Sequence, residues 1–185
     1  MKEANGPFVI SIAAVSGGGK TAVTTHLVKK LQNSKVLHFD NYDFNGPDDI
    51  ISWVDNGANY NEWDLTPLIR DLQKLFKENL DYIIIDYPFA YKNAQISKLI
   101  DVAIFLDTPL DIALARRVTR DFMKSSLADI LAEMKNYISQ GRRGYTEMIK
   151  IIKPNSDFII DGTLSVDEIS STIVEIIEER KDRII

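Results

Sequence analysis

The sequence predicts an α/β fold in which helices cover both faces of an open, doubly wound parallel sheet. Apolar runs rich in β-branched residues alternate along the chain with helical patterns, which is typical of that architecture. Most of these runs are almost continuously apolar, as expected for strands that are buried on both faces. The chain has 185 residues, enough for one hydrophobic core, so we expect a single domain over residues 1–185.

Five segments are predicted to be the strands of this sheet. They are residues 8–15, 35–39, 82–86, 102–106 and 157–160. Four of them are expected to be central, whereas "KVLHF" at 35–39 is shorter and is expected nearer an edge. Right-handed crossovers between the strands favour an open, five-stranded sheet.

Six further segments show helical patterns. They are residues 20–32, 66–78, 94–99, 109–122, 127–152 and 166–180. The segment after "LDTP" has apolar residues at four-residue steps, which gives that helix a buried face. The segment 127–152 is expected to break near Gly141 and Gly144. Residues 40–64 are the least regular part of the chain, and loops of that length in compact domains are usually functional or mobile.

Charge and composition exclude several classes of function. The net charge is −5, so a broad electrostatic attraction to nucleic acid or to an anionic membrane is not expected. The chain has no cysteine, which excludes a disulfide framework, a thiol nucleophile and a thiolate metal site. No apolar run approaches the length of a membrane span. We therefore expect a cytoplasmic protein without a nucleic-acid or membrane partner, and the oligomeric state stays open.

The stretch "AVSGGGKT" carries the strongest functional signal. Glycines that follow a strand and precede a helix allow backbone N–H groups to surround phosphate oxygens, and the helix N-terminus adds partial positive charge. A lysine reaches the terminal phosphates and a threonine ligates magnesium in such a P-loop. The sequence therefore predicts a nucleotide-binding site at Ser16, Gly17, Gly18, Gly19, Lys20, Thr21 and Ala22.

Two features weigh against that interpretation. Ala14 stands where the motif G-x-x-x-x-G-K-[ST] has its first glycine. The glycines could also form a simple loose turn beside a solvated Lys20. The strand before the motif and the helix after it favour the P-loop.

Several stretches resemble the uridine kinase-like branch of the P-loop kinases. They are "AAVSGGGKT", "VLHFDNYDF", "DYIIIDYPFAY", "IFLDTPLDIALARRVTRDF", "YISQGRRGY" and "IKPNSDFIIDG". The resemblance implies transfer of the γ-phosphoryl group of ATP or GTP to a hydroxyl of a small acceptor. It also implies a magnesium ion, a carboxylate near the acceptor hydroxyl and a mobile helical lid, which we expect at about residues 123–153.

Asp40 is the first candidate for the carboxylate at the acceptor hydroxyl. It follows the second predicted strand, at the sheet edge where open α/β folds bind their ligands, and a carboxylate there can orient or deprotonate a hydroxyl. The family resemblance implies the same role. Asp40 could instead cap the turn "DNYDFNG", and Asp43 is the second candidate.

Asp86 ends the run "YIIID" and is the candidate partner of Thr21 in a magnesium site. An acidic residue at the end of such a strand holds magnesium directly or through water. An aspartate there could also cap a turn, but the partnership with Thr21 favours the metal. Asp107 also ends a strand, but a helix start follows it, so a structural role is expected.

Arginines after "LDTP" are candidates for binding the transferred phosphoryl group, because guanidinium groups bind phosphate oxygens in pairs. Arg116 and Arg120 share a helix face and are expected to take part in catalysis. Arg117 is expected to lie nearer the surface, where it could pair with Asp121, and is retained only as a substrate-binding candidate. Arg142 and Arg143 are further substrate-binding candidates. The alternative for all these arginines is a solvated helical face.

The acceptor is the least defined part of the prediction. Aromatic residues crowd residues 40–64; of these, Tyr42 and Trp63 are acceptor-binding candidates and Trp53 is expected to serve packing. True uridine kinases carry a hairpin before the strand at 82–86, and the sequence leaves no room for one.

The predicted function is a magnesium- and ATP-dependent kinase of a small metabolite, a nucleoside by resemblance. A vitamin precursor, a sugar-like alcohol, a nucleoside monophosphate or a purely regulatory nucleotide-binding role stays open.

Overall fold

A computed structural model describes residues 6–182 and shows one parallel sheet of five strands. The strands are β1 (Phe8–Ala13), β2 (Ser34–His38), β3 (Tyr82–Asp86), β4 (Val102–Asp107) and β5 (Phe158–Asp161). Their order across the sheet is β2-β3-β1-β4-β5, and every neighbouring pair is parallel. The predicted five-stranded α/β fold is therefore confirmed.

The sequence predicted one of the two edge strands of the sheet. β2 is an edge strand, as its short apolar run indicated. β5 forms the other edge because it pairs only with β4, so the prediction of four central strands is wrong by one. The alternation within β5 explains the difference: Ile160 is 6% exposed, whereas Ile159 is 51% exposed.

Seven α-helices connect or follow the strands in the described part of the chain. They are α1 (Lys20–Lys30), α2 (Ile50–Asp55), α3 (Thr66–Leu75), α4 (Leu110–Asp121), α5 (Leu127–Asn136), α6 (Arg142–Ile151) and α7 (Val166–Asp182). The described residues contain no helix that is long and apolar enough to span a membrane.

Two hydrophobic clusters cover the two faces of the sheet and give the fold three layers. On one face, side chains of β1 and β3 pack with Leu68 and Leu72 of α3. On the other face, the alternate side chains of the same strands pack with Leu27 of α1 and with Ile173 and Ile177 of α7. This division follows from the two-residue period of a strand, which sends successive apolar side chains to opposite faces.

The predicted helix at 94–99 is wrong, because only a short 3₁₀ turn at Ser97–Leu99 forms there. Asn93 is fully buried, and its side-chain amide donates to the carbonyls of Tyr60 and Trp63 at 2.9 and 3.0 Å. Its side-chain oxygen accepts from the backbone N–H of Gln95 at 2.9 Å. Such local side-chain bonds compete with helical backbone bonds.

The segment 127–152 does not break at its glycines. A capping box between Ser126 and Asp129 starts α5, and the chain then passes through a π-helical turn at Tyr137–Gly141 directly into α6. Gly141 keeps helical backbone angles there, with φ −55°. The irregular segment 40–64 contains α2 and a 3₁₀ turn at Tyr60–Glu62.

Candidate active site

The P-loop lies between the end of β1 and the start of α1. Gly17 and Gly19 have φ angles of 80° and 99°, a left-handed region that L-residues with side chains disfavour. Gly19 is the N-cap of α1, and no side chain accepts a hydrogen bond from the N-terminal N–H groups of this helix. These N–H groups are therefore free to bind an anion.

A cleft of about 250 Å³ opens over this loop. It is lined by Ser16, Gly17, Gly19, Lys20, Thr21, Ala22, Asp40, Arg116 and Arg120. All the residues that the sequence predicted for nucleotide binding line this cleft except Gly18, which is buried and lines an adjoining cavity. Lys20 donates to the Ala14 carbonyl at 3.3 Å. The cleft thus combines three cationic side chains with free helix N–H groups, which is the chemistry of a polyphosphate site.

One contact from the end of β4 holds the P-loop in place, and a second contact joins α4 to the turn after β5. The Thr108 hydroxyl donates to the Gly18 carbonyl at 2.9 Å, and Thr108 is 2% exposed. Arg116 Nη1 donates to the Gly162 carbonyl at 3.0 Å. The sequence analysis missed Thr108 and Gly162; the available signal was that "DTP" and "DG" end two strands that lie side by side in the sheet.

Thr21 and Asp86 meet at the end of the cleft. The Thr21 hydroxyl donates to Asp86 Oδ2 at 2.7 Å, and the same oxygen lies 3.3 Å from Nδ1 of His38. Asp86 is 3% exposed, and its Oδ1 is buried without a hydrogen-bond partner. The sequence analysis gave His38 no role, and its position at the end of β2, next to β3, was the signal for this contact.

These residues fit a magnesium ion. Magnesium in phosphoryl-transfer sites takes one or two protein oxygens and fills its other positions with phosphate oxygens and water. The unpartnered Asp86 Oδ1 and the Thr21 hydroxyl supply that donor set. The described residues contain no cluster of three or more acidic or histidine side chains that would hold a metal without phosphate.

A second, larger cavity of about 610 Å³ adjoins the cleft. Its apolar lining consists of Ala14, Phe39, Ile50, Ile51, Trp53, Tyr60, Trp63, Pro88, Phe89, Tyr145 and Met148, and its polar lining of Ser16, Lys20, Asp40, Asp48, Asp49, Asn136 and Gln140, with Gly141 and Gly144. Ser16, Lys20 and Asp40 line both spaces. These three residues therefore stand at the junction between the P-loop cleft and the cavity, which we call the aromatic cavity.

Trp53 and Trp63 belong both to the packing of residues 40–64 and to the aromatic cavity. The Trp53 ring lies edge-to-face against Tyr60 and Trp63, at centroid distances of 5.0 and 6.5 Å. Its indole N–H donates to the Asn59 carbonyl at 3.1 Å. Packing was predicted for Trp53, and the structure gives it a place in the cavity wall as well.

Tyr42 and Asp43, two acceptor-binding candidates, line neither space. The Tyr42 hydroxyl donates to Asp71 of α3 at 3.1 Å, and its ring stacks on Phe44 at 5.5 Å. Burial and the neighbouring Asp71 carboxylate raise the pKa of Tyr42 to about 12. Asp43 is exposed. Neither residue therefore shares a lined space with Asp40 or Trp63.

Arg116 and Arg120 line the P-loop cleft, but Arg117 is not the surface residue that was expected. The Arg117 guanidinium pairs with Glu133 of α5, and the two side chains are 15% and 17% exposed. Asp121 pairs with Arg120 instead, at 2.6 Å. Arg117 therefore links α4 to α5, because its side chain projects toward the helical segment rather than toward solvent.

Arg142 and Arg143 lie outside both spaces. Both side chains are exposed, and Arg143 pairs with Asp55 of α2. The same segment presents Gly141 and Gly144 to the aromatic cavity. The glycine face of this helical segment, rather than its arginine face, therefore turns toward the site.

The fold and the two adjoining spaces define a small-molecule kinase of the P-loop type. The model of the phosphoribulokinase / uridine kinase family matches residues 57–169, and the chain belongs to that family. The matched range begins after the P-loop, so the geometry of the P-loop is independent support.

Relatives and solved structures agree with this family. A uridine kinase of Macrococcus caseolyticus is 25% identical over 201 residues, which cover 92% of this chain and 97% of that protein. A uridine kinase of Streptococcus pneumoniae is 21% identical over 209 residues, or 96% and 98% of the two chains. The structure of a putative fructose transport system kinase from Silicibacter sp. TM1040 has a TM-score of 0.58 at 14% identity, with 86% and 92% coverage. At this identity, the structural likeness shows the fold alone.

Proposed function

We propose that this protein is an ATP- and magnesium-dependent kinase that transfers the γ-phosphoryl group to a hydroxyl of a small acceptor, with a nucleoside as the first candidate. One observation carries the proposal: Asp40 lines both the P-loop cleft and the aromatic cavity. A carboxylate at that junction can contact a hydroxyl in the cavity and face a phosphoryl group in the cleft.

The nucleotide is assigned to the P-loop cleft and to a further cavity of about 440 Å³ beside it. Gly19, Ala22 and Arg116 line both spaces, and the turn from Gly162 to Val166 closes the far side. The triphosphate would lie over the P-loop, and the base and ribose would lie against this turn. This placement directs the γ-phosphoryl group toward Asp40.

The chemistry requires three tasks of the protein. Asp40 orients the acceptor hydroxyl and accepts its proton as the acceptor oxygen forms a bond to the γ-phosphorus and the bond to the β,γ-bridging oxygen breaks. Lys20, Arg116 and Arg120 stabilise the charge on the phosphoryl oxygens. Magnesium held at Thr21 and Asp86 would neutralise phosphate charge when bound. The helical segment at about 123–153 is proposed as a lid that excludes water.

The experiment is a screen for ADP release with ATP, magnesium and a panel of nucleosides, nucleotides and vitamin alcohols. Asp40→Asn should then lower single-turnover phosphoryl transfer by roughly two to four orders of magnitude, while ATP affinity should not fall, because a carboxylate in the cleft has no attraction for the triphosphate. Asp81→Asn is the matched control. Asp81 is exposed and directly precedes β3, so it lies at the amino-terminal ends of the strands, opposite the proposed active site.

Two results would contradict the proposal. Unchanged turnover in Asp40→Asn would remove this residue from the mechanism, and loss of turnover in Asp43→Asn would transfer the role to Asp43. A panel in which no compound accepts phosphate, although ATP binds, would favour the purely regulatory nucleotide-binding role.

One observation favours an acceptor other than uridine. Within residues 6–182, all strands belong to one parallel sheet, and only helices and turns connect β2 to β3. The hairpin that the resemblance to uridine kinases would require is therefore missing from this connection. A vitamin precursor or another hydroxylated metabolite is the second candidate, and the same panel distinguishes it from a nucleoside.

A further inference from the structure

The aromatic cavity has a chemical character that restricts the charge of its ligand. This inference rests on the proposed function, because it takes the cavity to be the acceptor site. Six aromatic side chains line it, which are Phe39, Trp53, Tyr60, Trp63, Phe89 and Tyr145. The faces of such rings are electron-rich, so they attract planar apolar groups and, more strongly, cationic ones.

Five of the six aromatic side chains pack against one another, and Tyr145 is the exception. Trp63 and Phe89 lie 5.4 Å apart, and Tyr60 and Phe89 lie 5.2 Å apart in an edge-to-face arrangement. The Tyr60 hydroxyl and the Trp63 indole N–H are buried without hydrogen-bond partners among the described residues. Buried donors without partners are unfavourable, so a ligand oxygen that reached them would be bound favourably.

Outside the P-loop, the charged side chains of the described residues that line the cavity are all negative. Asp48 and Asp49 line the cavity beside Ile50 and Ile51, and both are exposed. Hydrogen bonds from the Ser52 hydroxyl and the Ile51 N–H lower the pKa of Asp49, so it is ionised at neutral pH. Among the described residues that line the cavity, Lys20 is the one cationic side chain, and it also lines the P-loop cleft.

The arginines that could bind an anionic acceptor are placed elsewhere. Arg116 and Arg120 line the cleft and not the cavity. Arg143 is paired with Asp55 on the outside of α2, and Arg117 is paired with Glu133. A phosphate or carboxylate in the aromatic cavity would therefore meet carboxylates without a guanidinium to bind it.

We propose that the aromatic cavity selects a hydroxylated molecule with a planar ring and no anionic group, and that it binds a cationic ring more tightly than the neutral ring of the same shape. Of the acceptor classes left open by the sequence, nucleoside monophosphates are thereby excluded. Neutral nucleosides are accepted, and nucleosides or vitamin alcohols with a positively charged ring are preferred.

The chain carries its own reporter for this site. The sequence has two tryptophans, and both line the aromatic cavity. A change in tryptophan fluorescence therefore measures acceptor binding without any need for turnover. The variants Trp53→Phe and Trp63→Phe assign the signal to one ring or the other.

The experiment titrates matched ligands with the nucleotide cleft saturated by magnesium and a non-hydrolysable ATP analogue. Adenosine is compared with 1-methyladenosine, whose ring is cationic at neutral pH, and with AMP; cytidine, 3-methylcytidine and CMP form a second series. In at least one series, the cationic ring should bind about 3- to 10-fold more tightly than the neutral ring. The monophosphate should bind at least about 10-fold more weakly than the nucleoside, because its phosphate has no cationic partner.

A pair of variants connects the preference to the cavity. Asp48→Asn should reduce the advantage of the cationic ring by about 2- to 3-fold and leave the neutral ring almost unchanged. Asp81→Asn should leave both affinities unchanged. Equal affinities for cationic and neutral rings, tighter binding of the monophosphates, or no binding in either series by fluorescence and calorimetry would overturn the inference.

The result of this binding test can be distinguished from the result of the test of the proposed function. The predicted order of affinities without phosphoryl transfer would support the charge preference and contradict the kinase proposal. Phosphoryl transfer to AMP or CMP in preference to the nucleosides would support the kinase proposal and contradict the charge preference.

Discussion

The P-loop cleft and the aromatic cavity lie side by side, but they are built in different ways. Six of the seven residues from Ser16 to Ala22 supply most of the cleft, and the backbone geometry of two glycines fixes its shape. The cavity takes most of its lining from α2, the turn after it, the loop after β3 and the segment α5–α6. A local motif therefore defines the cleft, whereas long-range packing defines the cavity.

This difference predicts how each region responds to substitution. In the cleft, each functional side chain has a role that its neighbours cannot replace, because the backbone fixes the direction of each group. In the cavity, several rings share the contact with a ligand, so a single substitution should have a smaller effect. The following predictions test this comparison, from the largest expected effect to the smallest.

The largest effect is expected for Lys20→Ala. Lys20 is the lysine of the P-loop and lines the cleft, and a charge-assisted bond to phosphate is worth roughly 1.5–3 kcal/mol. ATP affinity should fall by about 10- to 100-fold, and turnover should be lost. Calorimetry with ATP and magnesium measures the affinity. Lys29→Ala, an exposed lysine of the same helix, is the control, and equal affinity in Lys20→Ala and the control would refute the P-loop assignment.

A smaller effect is expected for Thr108→Val. The substitution keeps the shape of the side chain and removes the hydroxyl that donates to the Gly18 carbonyl. The buried carbonyl loses its side-chain partner, which lowers the free energy of unfolding by about 1–3 kcal/mol, and the loosened loop should bind ATP about 10-fold more weakly. Chemical denaturation and calorimetry measure the two changes.

Thr119→Val is the matched control for Thr108→Val. The Thr119 hydroxyl donates to the Ala115 carbonyl within α4 at 2.8 Å. The Thr119→Val variant therefore loses a similar hydrogen bond, but on an exposed helix. ATP affinity should stay unchanged in this variant. A fall in ATP affinity in both variants would mean that α4, rather than the anchor at Gly18, controls the loop.

The sequence was sufficient for features with local causes. The strands, the P-loop and the meeting of Thr21 with Asp86 follow from apolar runs and from strand ends that lie next to each other in a parallel sheet. The contacts of Tyr42 and Arg117 could not be predicted, because their partners, Asp71 and Glu133, lie on helices whose orientation no short pattern records. The helix predicted at 94–99 failed for a similar reason, since the bonds of Asn93 reach residues 30 or more positions away.

The helical segment α5–α6 should respond to ligands more than the rest of the fold does. It contributes Asn136, Gln140 and Tyr145 to the aromatic cavity, while few buried side chains attach it to the core. Amide hydrogen exchange over residues 127–151 should slow by about 10-fold when an acceptor and an ATP analogue bind together, because closure removes open states. Exchange in α7 should change much less. Equal changes in both segments would argue against a lid.

The smallest effect is expected for Tyr42→Phe, which tests the boundary between the two regions. Tyr42 was an acceptor-binding candidate, but its hydroxyl is bonded to Asp71 and it lines neither space. Turnover and acceptor affinity should therefore equal those of the wild type. The free energy of unfolding should fall by about 0.5–1.5 kcal/mol, the usual net contribution of one hydrogen bond.

The pH dependence gives this last prediction a second measurement. The pKa of Tyr42 is raised to about 12 in the folded protein, above the value of about 10 expected in the unfolded chain. The folded state therefore keeps a proton that the unfolded state has released, and the stabilisation from Tyr42 is complete below about pH 10 and is lost as the pH rises through about 12. The stability difference between wild type and Tyr42→Phe should be constant below pH 10 and should shrink above it. A difference that did not depend on pH would mean that burial and Asp71 do not raise the pKa of Tyr42. Reduced turnover in the variant would place Tyr42 in the acceptor site and extend the aromatic cavity toward α3.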